Sequence, residues 1–188
     1  MRVFLDFEAS SLGKSGYPIE VAWVFENGDS ESHLIRPAPK WLDWDGEAEA
    51  IHHISRETLV REGEPHELVA QRMVEALAGH DLYASAPSWD GKWMSALFRA
   101  AAIPRHALRL RDSELAQRES VTAILSGGLA GGKLRGAVDS IVARVRAQEV
   151  EPVRHRALDD AEQERRRWLA AISLAETERE RSSAAWRS

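Results

Sequence analysis

At 188 residues the chain is long enough for one domain with a sizeable core, and 44% hydrophobic with 29% charged residues is the balance of a globular protein. It has no cysteine, which excludes disulfides, zinc–thiolate sites and cysteine nucleophiles, and no apolar run long enough to span a bilayer. The formal net charge of −5 argues against a surface that coats nucleic acid non-specifically, but not against a nuclease whose bound cations and local Arg and Lys residues supply the positive field.

Val3, Phe4 and Leu5 read as a buried strand, Arg2 to Phe7, that delivers Asp6 and Glu8 at its end. Alternate residues of a strand share a face, so the two carboxylates point the same way, repel each other and lose hydration. A hard divalent ion such as Mg²⁺ or Mn²⁺ relieves both penalties. The same acids interrupt the apolar start, so it does not read as a leader peptide, and a cytoplasmic location is the expectation.

Ile19 to Phe25 is the second strand, Asn27-Gly28 a hairpin turn, and Ser32 to Arg36 the returning strand, ended by Pro37 and Pro39. Residues 37 to 54 read as an irregular loop with Trp41 and Trp44, which either stack on bases or pin the loop to the core. Ser55 caps a short helix, Pro65 starts another, and Gly79 is placed to end it. Asp81 to Ser85 is a short strand, and Trp89 to Ala102 is helical, beginning near Asp90. Leu108 to Leu110 is a further short strand; Asp112 to Leu125, Lys133 to Gln148 and the stretch from about Leu158 are helices, with a linker at Pro152. A β-meander, then alternating helices and strands, then helices, predicts one mixed sheet with helices on both faces. The domain is expected to cover residues 1–175, with 176–188 a charged helix end or tail.

His155 stands just before the last helix and Asp160 lies in its first turn. A histidine there can take a proton from water, and an aspartate there can ligate a metal or merely offset the helix dipole. Asp90 alone is an ordinary first-turn acid. Together Asp6 and Glu8, then Asp90, then His155 with Asp160 occur in the order and contexts of three sequence motifs. Phe4-Leu-Asp-Phe-Glu8 followed by Leu12 fits the first, and His155-Arg-Ala-Leu-Asp-Asp160 fits the third. Ile51-His52-His53-Ile54-Ser55 fits the histidine-glycine-isoleucine segment between the first and second. On these residues the chain, over about positions 2 to 170, resembles the DEDDh 3′–5′ exonucleases, a proofreading-exonuclease-like superfamily of ribonuclease H-like fold.

The resemblance implies an α/β ribonuclease H-like sheet, an N-terminal antiparallel meander continued by parallel strands. It implies two Mg²⁺ or Mn²⁺ ions held by Asp6, Glu8, Asp90 and Asp160, with His155 as base, and release of nucleoside 5′-monophosphates from a single-stranded 3′ end of DNA or RNA. Ala9, Leu12, His52 and Ile54 become candidates for contact with the terminal nucleotide. A homodimer is compatible with it, and a membrane partner is not expected. Three departures stand out: Ala84-Ser-Ala-Pro-Ser88 has no asparagine ahead of Asp90, Ala9-Ser-Ser11 replaces a threonine and glycine, and His53 stands at the glycine of the middle segment. Two other readings compete. One is a non-catalytic binding module on the same fold. The other is an HD-type phosphohydrolase using His80-Asp81 with His52 or His53 and Asp139, which requires an all-helical protein.

Overall fold

The computed structural model describes residues 1–148 and 155–185, so the linker at Pro152 lies outside the described residues. The strands are β1 (Arg2–Ala9), β2 (Pro18–Phe25), β3 (Ser30–Arg36), β4 (Glu64–Pro65), β5 (Asp81–Ala84) and β6 (Leu110–Asp112), and they form one mixed sheet in the order β4-β3-β2-β1-β5-β6. The β1–β2 and β2–β3 pairs are antiparallel, whereas β5 joins β1 in parallel and β6 joins β5 in parallel. The helices are α1 (Gly46–His52), α2 (Arg56–Glu62), α3 (His66–Leu77), α4 (Pro87–Ala100), α5 (Ser113–Leu125), α6 (Gly131–Ala147) and α7 (Ala157–Ala185). No helix among the described residues is long and apolar enough to cross a membrane.

The continuous apolar run of β1 follows from its central place, because both its faces are covered. Val3, Leu5 and Phe7 pack with Val21 and Trp23 against Val69, Met73 and Leu77 of α3 and Trp93, Leu97 and Phe98 of α4. Phe4 points the other way, with Tyr83, onto Ala116 of α5 and Trp168 of α7. Asp6 and Glu8 belong by parity to the face of Phe4. A separate cluster holds α5, α6 and α7 together through Val121, Leu125, Val138, Ile141 and Ala171.

The hairpin forms where expected: Asn27 Oδ1 accepts from the Asp29 N–H at 3.1 Å and Gly28 adopts φ 101°, a region open to glycine. Other boundaries move. Residues 46–52, expected within a loop, form α1, because the Asp45 side chain accepts from the Glu47 N–H and Glu47 and Glu49 complement the helix N-terminus. Its few apolar positions leave no helical period to read. α4 starts at Pro87 rather than near Asp90, with proline in the first turn where its missing N–H is harmless. The strand expected at Leu108 to Leu110 is shifted to Leu110–Asp112, set by pairing with Leu82, Tyr83 and Ala84. The charged end of the last helix remains helical to Ala185. His80-Asp81 leads into β5 of a six-stranded sheet, which contradicts the all-helical arrangement an HD-type site requires.

Candidate active site

α7 lies along the Phe4 face of β1. Asp160, Glu164 and Trp168 are four residues apart and so share one face of α7. Trp168 meets Phe4 with ring centroids 5.7 Å apart. From there, eight helical residues back to Asp160 cover about 12 Å, and four strand residues on to Glu8 cover about 13 Å. The apolar contact at one end therefore sets Asp160 opposite Asp6 and Glu8 at the other. One carboxylate oxygen from each of Asp6, Glu8 and Asp160 lies within 4.8 Å of the others, the only group of metal-ligand spacing among the described residues.

Asp90 arrives from the opposite direction. β5 runs beside β1 with Tyr83 opposite Phe4 and stops at Ala84, one residue short of the level of Asp6. The chain then turns over into α4, whose first turn carries Asp90. Its side chain is 3% exposed and its Oδ2 has no hydrogen-bond partner.

All four acids hold their protons more tightly than usual. Burial lifts Asp6 well above the ordinary range, and Asp90, Glu8 and Asp160 add repulsion. Burial, then Asp160 and Glu20, push Glu8 to about 8. Burial pushes Asp90 to about 7 against the pull of backbone N–H groups at Ala86, Phe7 and its own residue. Asp160 is raised by burial too, with His155 pulling it down. Four repelling carboxylates, Asp90 buried with an orphaned oxygen and the other three half-buried, fit hard divalent cations, whose charge reverses each of these shifts.

His155 is exposed, with φ 48°, immediately ahead of α7. The start of that helix is fixed by Glu20 on β2, which is 1% exposed. Glu20 accepts from Arg156 at 2.6 and 3.0 Å and from the Ala157 N–H at 3.1 Å. Because Glu20 is paired with Glu8 across β1 and β2, this clamp lies one strand from the acids. Glu164, one turn beyond Asp160, accepts from the Ser113 hydroxyl and from Arg167, and its charge raises both Asp6 and Asp90. Neither glutamate stood out in the motifs, but a lone acid inside the apolar run Ile19 to Phe25 was a visible signal for Glu20.

The candidates for nucleotide contact separate. Leu12 is 70% exposed in the β1–β2 loop, and Ala9 is half-buried at the end of β1. Ile54 is 3% exposed in a cluster with Tyr17, Ile19 and Leu59, so core packing occupies its side chain. His52 is 2% exposed, and its Nδ1 accepts from the Ile54 N–H at 3.1 Å. Their burial argues against direct contact and for shaping the loop. His53 adopts φ 58°, the left-handed region that explains why glycine suits this place in the segment it resembles. Trp41 and Trp44 do pin their loop, Trp41 by stacking on Tyr17 at 5.1 Å and Trp44 by donating to Glu49 at 2.7 Å.

No protein-family model matches the sequence. No curated protein matches it by sequence either. Solved structures do match in three dimensions. E. coli exonuclease I in complex with a dA16 oligonucleotide superposes with a TM-score of 0.63 at 15% identity, covering 94% of this chain and 42% of that one. The zinc-ion-bound form of the E. coli exonuclease I–ssDNA complex gives 0.60 at 17% identity, covering 93% and 39%. A moderately thermophilic exonuclease I from Methylocaldum szegediense gives 0.63 at 16% identity, covering 89% and 40%. This chain has the ribonuclease H-like fold of those exonucleases. It spans about two-fifths of their length. At such identity the likeness is one of fold, and the ribonuclease H-like scaffold explains the topology: a meander, a central β1, and a last helix returning to it.

Proposed function

We propose that the protein is a metal-dependent 3′–5′ exonuclease of the DEDDh type, removing nucleoside 5′-monophosphates from single-stranded DNA or RNA. The observation that carries this reading is the convergence of Asp6, Glu8 and Asp160 within 4.8 Å, on a fold shared with exonuclease I. Two Mg²⁺ or Mn²⁺ ions are the cofactors that suit the donor set, held by Asp6, Glu8, Asp90 and Asp160. When bound they would supply Lewis acidity, acidifying water and offsetting charge on the phosphate. His155, free to reach solvent, accepts the proton of the attacking water at an imidazole nitrogen. The water oxygen bonds to phosphorus, the P–O3′ bond breaks, the terminal nucleotide leaves with its 5′-phosphate, and the O3′ left on the shortened strand takes a proton from solvent to become a hydroxyl. Leu12 in the β1–β2 loop and Ala9 at the end of β1 would pack on the terminal nucleotide.

The test is a 5′-labelled oligonucleotide, as DNA and as RNA, incubated with the purified protein and Mn²⁺. The expected result is a ladder shortening from the 3′ end, abolished by EDTA and by Asp6→Ala. A protein that binds both strands and leaves both intact is instead a non-catalytic binding module. One that neither binds nor cleaves refutes the nuclease reading altogether.

A further inference from the structure

A groove of about 720 Å³ lies between the β1–β2 loop, the segment after β3 and α4. Lys14, Lys40, Lys92 and Arg99 line it, and none of the four has a carboxylate partner among the described residues. Some cations elsewhere are neutralised by acids, as Arg72 is by Glu31, Arg118 by Asp139 and Arg156 by Glu20. The one acid lining the groove, Glu67, lies 3.1 Å from His66. In a chain of net charge −5, four cations and a single acid make this groove locally basic.

One wall of the groove belongs to α4, the helix that also carries Asp90 in its first turn. Trp89, Lys92, Ala96 and Arg99 follow at spacings of three, four and three along one face of α4. That stripe runs about 15 Å from the neighbour of Asp90 outward. Trp89 is 43% exposed, stacks on Trp93 at 6.0 Å and has the Lys92 ammonium 5.0 Å from its ring. Lys92 is itself fixed, donating to the Gly13 carbonyl at 2.7 Å, so helix and loop share one cationic wall. Trp41 contributes a second aromatic surface to the groove.

We propose that this groove carries the phosphate backbone of the single-stranded nucleic acid, leading the chain away from the nucleotide held at Asp6, Glu8, Asp90 and Asp160. The proposal rests on the nuclease reading for its orientation. A cluster of four carboxylates repels a polyanion, and adjacent unpaired cations offset that repulsion and steer the strand. Aromatic faces beside cations accept any base, which suits an enzyme that shortens strands of arbitrary sequence. An acidic peptide would use the cations but not Trp41 and Trp89.

The test compares Lys14→Ala/Lys40→Ala/Arg99→Ala with Lys133→Ala/Arg135→Ala/Arg144→Ala, which removes the same charge from α6. Binding of a fluorescein-labelled oligothymidylate is measured by anisotropy in EDTA over a range of KCl concentrations. The groove variant should bind about tenfold more weakly, and the slope of log K against log salt should fall by about 2, at roughly 0.7 per lost phosphate contact. The α6 variant should match wild type. Absent binding, equal weakening in both variants, or displacement by polyglutamate as effective as by unlabelled oligonucleotide overturns the groove. Cleavage of the same oligonucleotide with Mn²⁺ is scored separately. Groove-dependent binding without cleavage keeps the groove and overturns the nuclease reading. Cleavage with unaltered binding in the groove variant overturns the groove alone.

Discussion

Glu8→Gln isolates the electrostatic strain of the site. Burial and the charges of Asp160 and Glu20 raise the Glu8 carboxyl from 4.5 to about 8. A carboxyl raised on folding releases its proton first in the unfolded chain, so stability falls as pH climbs from the unfolded to the folded value. From pH 5 to pH 8 the fall is about 1.4 kcal/mol per pH unit, or ~4 kcal/mol in all. Glu8 keeps part of its surface in water, and screening brings the figure to about 3 kcal/mol. Glutamine has no proton to release. In EDTA, urea unfolding followed by tryptophan fluorescence should therefore show the variant gaining about 3 kcal/mol on wild type between pH 5 and pH 8. Mn²⁺ at pH 8 should reverse the ranking, stabilising wild type more, because binding to the folded state alone raises stability. A variant-minus-wild-type difference constant to within ~0.5 kcal/mol across that range, the size of an ordinary surface substitution, would refute the strained-carboxylate account.

Asp6→Asn should abolish cleavage and suppress the rise in melting temperature on adding Mn²⁺, while melting in EDTA no lower than wild type at pH 8; thermal scans with and without metal check this. His155→Ala should lower kcat by roughly 10²–10⁴-fold at unchanged melting temperature, since the side chain is exposed. Arg156→Ala leaves Glu20 buried with only the Ala157 N–H, and should destabilise the fold by about 2–3 kcal/mol in urea unfolding. Glu20→Gln, which keeps a hydrogen bond to Ala157, should lose less stability than Arg156→Ala and still weaken Mn²⁺ binding, read by calorimetry, by loosening the helix that carries Asp160.

Much of the sheet was legible because its signals are local. The apolar run of β1, the Asn27-Gly28 turn and the proline stops after β3 each act within a few residues. Spacing and chain order in the sequence pointed to Asp6, Glu8 and Asp160, which the fold brings together. What sequence did not reveal depends on pairing across the fold. β6 took its register from Leu82, Tyr83 and Ala84, not from its own apolar residues. α1 formed on a side-chain cap and two acids rather than on an apolar stripe. Ile54 and His52 looked available to a ligand because nothing local says that Tyr17, Ile19 and Leu59 bury the neighbourhood.

The site unites two requirements that oppose each other. Carboxylates close enough to share cations repel, and a flexible support would let them separate. Here each acid sits on an element fixed by apolar contact a short distance away. Asp6 and Glu8 follow Phe4, Asp160 is two turns from Trp168, and Asp90 is one turn from Trp93. Phe4 against Trp168 acts as the anchor, and the near-equal 12 and 13 Å from that contact to Asp160 and Glu8 convert packing into alignment. At the start of α7, ahead of Asp160, a polar clamp adds to the burial of Ala157 and Ala161: Glu20 holds Arg156 and the Ala157 N–H. The two ends of that clamp act on Glu8 in opposite senses, Glu20 raising its carboxyl and Arg156 drawing it down. The helix start is therefore secured by an ion pair rather than a lone charge, so Asp160 is positioned without loading the neighbouring carboxylates with a full further negative charge.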